Sequence, residues 1–425
     1  MQKVRDSDAL SETTSETTAS KTAEVSSVAP AARRLLSAVL ARARHPSPAL
    51  RQTLTLFGAT RLMLALVTYF GYVLLNAGKY SPDSVGVNAL LLSWNRWDAL
   101  WYAGIARAGY QNVTQTAFFP LYPLLVRAGT LQVGAPDDGR VYLVGLLLSN
   151  LAFFFALWAL RVLAERESGP EAASRATIYL AVFPTALYFF APYNESLFVL
   201  LTVTCFLALR TERWWLAGAL GLLAALTRSA GIFLVLPFAL EYLGRRGWQW
   251  RRVRADALAL VLIPGGLALY ALYCWVSFGD PLAYSHVQIH WDRVVSWPWT
   301  GLWRQVVGLW QAQPASFFQA HDLLDLGATL FVLAMLVLGW RRLPHSYSLF
   351  ALLLLATMLL LPGGGATGYL DPLASNQRFA LEVFPAFMTL GMLVKRPAAH
   401  QAIIIIFSGL LAILSIVFIS GRWLV

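Results

Sequence analysis

Six ionisable residues stand beside apolar blocks of this chain, in positions that suit chemistry at a membrane surface: Asp98, Glu195, Arg228, His286, His290 and Arg378. Asp98 lies in SWNRWDALWYAGIARAGY (Ser93–Tyr110), between Trp97 and Trp101, at the head of a run with helical spacing. Leu100, Trp101, Gly104, Ile105 and Ala108 form one stripe of that run, and Gly109 is placed to end it. Two compatible readings of Asp98 stand. It can cap the helix, a role that favours Asp and contributes about 1 kcal/mol, and it is also preorganised beside any lipid headgroup that arrives there. In APYNESLF, Asn194 or Glu195 can cap the following helix. In LTRSAG, Arg228 asks for a partner or an anionic ligand, or else snorkels to headgroups. In LASNQRFALEVFP, Arg378 precedes Glu382 by four residues, the spacing of a helical ion pair. His286 and His290 are also four apart and supply half of a zinc site, but no third ligand has matching spacing, so no metal site is assigned.

The elements that must position these residues are membrane spans. The 425 residues are 58% hydrophobic and only 13% charged, half the charge of an average soluble domain. Mean hydropathy is +0.58. Apolar blocks such as LALVLIPGGLALYALYCWV (Leu258–Val276) are long enough to cross a hydrocarbon core of about 30 Å as helices. The expected fold is therefore all-α, a polytopic membrane protein of about eleven spans near 54–76, 141–163, 175–191, 196–210, 214–228, 230–244, 257–277, 323–340, 346–361, 379–394 and 402–422. Residues 1–52 form a separate region: a polar Ser/Thr/Glu-rich start, expected to be disordered, then AARRLLSAVLARARHPSPALR, which reads as a basic surface helix or a juxtamembrane linker. Residues 53–425 form the membrane domain.

Charge sets the expected orientation. RRGWQWRRVR (Arg245–Arg254), WRRLPH and KRPAAHQ are basic, and with the basic N-terminal segment they read as cytoplasmic, as do AERESGPEAASR and RTER. Loops 77–140 and 278–322 then lie on the opposite face with all six ionisable residues, and charges deep within spans are scarce. Both loops are rich in aromatics, which suggests interfacial helices with rings at headgroup depth. The prolines of AFFPLYPLL (Ala117–Leu125) break a continuous helix and predict a kinked surface element. The net charge of +11 does not point to nucleic acid, because the basic residues flank spans and no basic face interleaves with stacking aromatics. Cys205 and Cys274 lie inside apolar blocks and read as packing residues.

In this order, WDALWYAGIARAGY, AFFPLYPLL, APYNESLF, LTRSAG and SNQRFALEVFP resemble the PIG-V family of mannosyltransferases, over roughly residues 55–394. The family commonly has His directly before the Tyr of the first motif. This chain has Trp101 there, so that histidine's role is not carried over. The resemblance implies a GT-C glycosyltransferase with interfacial amphipathic helices in the first long non-cytoplasmic loop, on the plasma membrane if bacterial or the endoplasmic reticulum if eukaryotic. Such enzymes take a polyprenyl-phosphate sugar and keep an essential acid in that loop, where Asp98 stands. The implied reaction moves mannose from polyprenyl-phosphate mannose to a lipid-linked or glycan acceptor with inversion. Asp98 would act as general base. Arg378 and Arg228, then His286 and His290, would meet the phosphate. Glu195, Asn194, Trp97, Trp101 and Tyr102 would hold sugar or acceptor. No cofactor is expected; a divalent-cation requirement is left open. Two alternatives are a GT-C enzyme using another sugar and, from a different class, a lipid or solute transporter. Neither an internal repeat nor midplane charge supports the transporter.

Overall fold

The computed structural model describes residues 47–76, 86–132, 134–363 and 371–422. The expectations for the N-terminal region fall on residues outside these, apart from the start of the first helix. The chain divides into two compact units, Met1–Gln52 and Thr53–Val425. In the second unit helices follow the apolar blocks: α1 (Pro48–Asn76, begun in the first unit), α2 (Asp98–Ala108), α3 (Leu121–Gly129), α4 (Asp138–Ala181), α5 (Glu195–Arg210), α6 (Trp214–Thr227), α7 (Val235–Arg245) and α8 (Leu262–Phe278). Then come α9 (Pro298–Gln311), α10 (Phe317–Gly339), α11 (His345–Leu360), α12 (Asn376–Phe379), α13 (Phe384–Leu393) and α14 (Pro397–Ile419). Among the described residues there is no strand. Among the described residues, five helices are long and apolar enough to cross a membrane: α1, α4, the segment Ala255–Phe278 containing α8, α10 and α14. The shorter apolar helices are α6, α11 and α13. The protein is an integral membrane protein.

Two expected boundaries move. AERESGPEAASR is a sharp break and not a long loop: its residues are helical up to Gly169, whose non-helical backbone (φ 81°, ψ 169°) separates the two helices that make up α4. Pro170 follows, and a proline without an N–H is best tolerated where a helix restarts. The block 175–191 is not one span either: α4 ends at Ala181, and a short 3₁₀ turn at Ala186–Phe189 leads to α5.

α4 packs against α5 and α13, and α6 packs against α5 and α8. The α6–α8 contact depends on small residues. A Cβ on Gly218 would lie 2.1 Å from the Ala259 carbonyl oxygen, and one on Gly266 would lie 2.4 Å from that of Leu222. Backbones this close are how apolar helices gain van der Waals contact without a hydrophobic drive between them. Cys205 and Cys274 are both buried and unpaired, as packing residues should be.

At the far end of α5 from Glu195, Arg210 binds Glu167 of α4 (2.7 Å) and Glu241 of α7 (3.0 Å). Ser346 donates to Glu241 (2.6 Å) and Tyr347 to Glu167 (3.1 Å), which adds α11 to this clamp. Some charges depart from the expected scarcity within spans, among them Arg161 of α4 and Asp325 of α10, both buried. Arg61, in the middle of α1, donates to Asn150 Oδ1 (2.8 Å), and its guanidinium lies over Phe57 and Phe153.

The two aromatic loops differ from each other, and the first differs from expectation. In the first, Trp94, Tyr102, Phe118, Phe119 and Tyr122 are buried, so these rings build core instead of standing at headgroup depth. In the second, α9 turns Gly301 and Gln305 inward and leaves Trp297, Trp299, Trp303 and Trp310 exposed.

Candidate active site

The residues that face the site are mounted on short, irregular segments braced by the long helices. Asp98 is the first residue of α2, and Trp97 ahead of it holds a positive φ of 53°. The capping expectation for Asp98 is thereby corrected. The cap position is Trp97, and no side-chain cap bond forms there. An acid in the first turn still interacts favourably with the helix dipole. Gly109 does end the helix, with φ 74°. The buried face of α2 is Ala99, Tyr102, Ile105 and Ala106, so the predicted stripe is rotated and Leu100 is exposed.

Arg378 lies on α12, a single turn that follows Ser375 at φ 72°. Three bonds pin this turn to its neighbours. The Gln377 N–H donates to Asp325 Oδ1 (2.8 Å), Thr185 donates to the Gln377 carbonyl (2.7 Å), and Asn376 donates to Thr329 (2.9 Å). Arg228 follows α6 in extended conformation. Gly231 folds back onto that helix so closely that a Cβ would lie 2.3 Å from the Ala225 nitrogen. LTRSAG is thus a turn that only glycine can close, and it sets the direction of Arg228.

These arms bring Asp98, Glu195, Arg228 and Arg378 together. Glu195 is fully buried, and its Oε1 accepts from both Arg228 (2.9 Å) and Arg378. Arg378 also donates to Asp98 Oδ2, while Oδ1 takes no hydrogen bond from the described residues. The Arg378 guanidinium lies 4.7 Å from the Tyr193 ring centre and 5.2 Å from that of Tyr188. Arg228 bonds Asn194 Oδ1 (3.1 Å) and lies 3.0 Å from Glu382. Two expectations fall here. Arg228 does not snorkel, and Glu382 pairs with Arg228 instead of Arg378, because residues 380–382 leave the α-helical path as a 3₁₀ turn. Breaking a buried pair of this kind costs about 3–5 kcal/mol by leaving an uncompensated charge.

Asp98, Tyr102, Asn194, Arg228, Arg378 and Glu382 line one cavity of about 290 Å³, with Phe118, Phe119 and Trp291 among its aromatic walls. That is near the lower end of small-molecule sites, roughly 300–1,000 Å³. Glu195 lies behind this wall, as the anchor of the two arginines. Trp101 backs the wall by stacking on Phe118 (5.5 Å), and Trp97 packs against the core. His286 and His290 are exposed and do not line the cavity; His286 bonds Asp280 at 2.7 Å.

A third arginine was missed in the sequence. Arg293 lines the cavity, its side chain's only hydrogen bond among the described residues goes to the Ala374 carbonyl (3.2 Å), and the guanidinium has no carboxylate partner there. Arg228 and Arg293 lie over the ring of Phe379, each 5.1 Å from its centre. Burial, with the guanidiniums of Arg228 and Arg378 nearby, pushes Arg293 down to about 10. It remains a cation at neutral pH, and one that an arriving anion would stabilise. The available signal was charge sidedness, since Arg293 lies in the same long loop as the two histidines.

The family model described as Mannosyltransferase (PIG-V) matches residues 67–245. The GPI alpha-1,6-mannosyltransferase 2 of Rattus norvegicus is 32% identical over 210 residues, covering 48% of this chain and 42% of that protein. The GPI mannosyltransferase 2 of Schizosaccharomyces pombe is 27% identical over 240 residues, 51% of this chain and 50% of that protein. The chain thus spans half or less of the length of these curated relatives. Among solved structures, ArnT from Cupriavidus metallidurans bound to undecaprenyl phosphate aligns with a TM-score of 0.49 and 17% identity, covering 83% of this chain and 62% of that one. Asp98, Asn194, Glu195 and Arg228 all fall inside residues 67–245, and over that region the chain is similar to the PIG-V mannosyltransferase family.

Proposed function

We propose that the protein is a membrane mannosyltransferase of GT-C architecture that moves mannose from a polyprenyl-phosphate mannose to a hydroxyl of a lipid-linked or glycan acceptor, with inversion at C1. One observation carries the reading: a carboxylate at a helix start and an arginine with no carboxylate partner line the same cavity. The acceptor oxygen bonds to C1 as the bond from C1 to the phosphate oxygen breaks. The acceptor proton passes to Asp98, whose Oδ1 is free to receive it. Polyprenyl phosphate leaves with the bonding pair, and its charge meets Arg293 first, with Arg378 and Arg228 behind it. Tyr102 and Asn194 border the space for the sugar, while Trp101 and Trp97 support that wall. His286 and His290 have no part in this scheme. With a cytoplasmic N terminus, supported by the arginines of RRGWQWRRVR, the cavity belongs to the non-cytoplasmic face.

The test is to incubate the purified protein with radiolabelled polyprenyl-phosphate mannose and a lipid extract, beside the glucose and arabinose donors. Label moving from the mannose donor into acceptor is the expected result. A folded protein that transfers no mannose, or that transfers another sugar in preference, would overturn the assignment.

A further inference from the structure

A second cluster lies outside the cavity, near the start of α10. His321 and Asp325, one helical turn apart, share a face of that helix. Asp371, just before α12, reaches the same point. His321 Nε2 lies 3.2 Å from Asp325 Oδ2 and 2.9 Å from Asp371 Oδ2. One ligand atom from each of the three residues lies within 4.8 Å of the others. His321 is 5% exposed and Asp325 fully buried.

Hydrogen bonding alone leaves this cluster poorly satisfied. An imidazole nitrogen carries at most one proton, yet two carboxylate oxygens converge on Nε2. Asp371 Oδ1 and His321 Nδ1 are both buried without a hydrogen-bond partner. With both carboxylates ionised, the cluster holds two negative charges beside a neutral imidazole and one beside a protonated one. A divalent cation would cancel both carboxylates and use the lone pair of Nε2. One nitrogen and two oxygens make a three-ligand set with room for a fourth position, which suits zinc better than calcium or magnesium, ions that need six or more oxygens.

We propose that His321, Asp325 and Asp371 bind one zinc ion, and that this ion staples the segment leading into α12 to α10. Asp325 serves on both sides: Oδ2 faces the imidazole, and Oδ1 accepts the Gln377 N–H next to Arg378. Ala374, in the same segment, holds Arg293. The ion would therefore fix the mount of two arginines without touching a substrate. The site does not depend on which sugar, if any, the cavity accepts.

The experiment is metal analysis of the purified full-length protein by inductively coupled plasma mass spectrometry, after equilibration with zinc and removal of free ion. About one zinc per chain is expected. Asp371→Asn and His321→Ala should each lower that at least about tenfold, while His286→Ala and His290→Ala leave it unchanged. Asp371 is the more exposed ligand, so Asp371→Asn supplies the test if His321→Ala does not fold. Cobalt substitution should give visible d–d absorption that Asp371→Asn abolishes. Wild type with no bound zinc, or a full zinc equivalent retained in Asp371→Asn, would overturn the assignment.

Discussion

Replacing Arg293 by alanine isolates phosphate recognition from folding better than any other change at the cavity. Arg378 and Arg228 are each tied to two carboxylates, so removing either one strands buried negative charge. Arg293 gives up one bond to a backbone carbonyl and its stacking on Phe379. A charge-assisted hydrogen bond is worth about 1.5–3 kcal/mol, and 1.4 kcal/mol is a factor of about ten in affinity. Arg293→Ala should therefore weaken donor binding by roughly 10- to 150-fold, with little change in thermal stability. Arg293→Lys should recover part of it, because an ammonium keeps the charge but loses the planar fork. The assay is initial rate against polyprenyl-phosphate mannose concentration, with a melting curve of each variant alongside. A donor KM and kcat unchanged in a folded Arg293→Ala would refute the phosphate role.

Asp98→Asn keeps the shape of the side chain but removes the base, so turnover should fall by about 10²–10⁴-fold, and near wild-type transfer would dismiss Asp98 from the chemistry. Glu195→Ala leaves Arg228 and Arg378 without their shared anchor and should destabilise the protein by about 3–5 kcal/mol, read as a lower melting temperature; an unchanged melt would mean the pairs do not form. Gly231→Ala forces a methyl group into the last turn of α6 and should destabilise by at least about 1–3 kcal/mol while displacing Arg228, checked by melting and by transfer rate; a variant with normal stability would show that the turn is looser than described.

The helices were legible because apolar blocks of span length have few alternatives in a membrane. The break at Gly169 was legible as a polar stretch between two blocks, but its shortness was not, because the residues around that glycine remain compatible with helix. At the site, the motifs exposed Asp98, Glu195, Arg228 and Arg378 as one group, since each carries charge on the same expected face. Their pairing could not be read. Local spacing favours Arg378 with Glu382, and only the 3₁₀ turn after Phe379 sends the two apart. Arg293 was hidden beside Asp292, which makes it look neutralised in sequence, yet among the described residues its side chain hydrogen-bonds only the Ala374 carbonyl. The convergence of His321 and Asp325 with Asp371 is a long-range contact, and spacing along the chain cannot announce it.

The contact between Arg378 and Asp98 joins residues 280 positions apart. During synthesis the N-terminal part of a chain emerges and inserts first. Asp98 must therefore wait without its guanidinium partner, and Glu195 with Arg228 alone, while the helices through α11 are made and inserted. Until α12 arrives, the nascent protein carries an Asp98 carboxylate without its partner and a cavity without its full cationic wall. Activity then becomes a property of the finished chain, and release products that stop short of Arg378 should be both inactive and open to quality control.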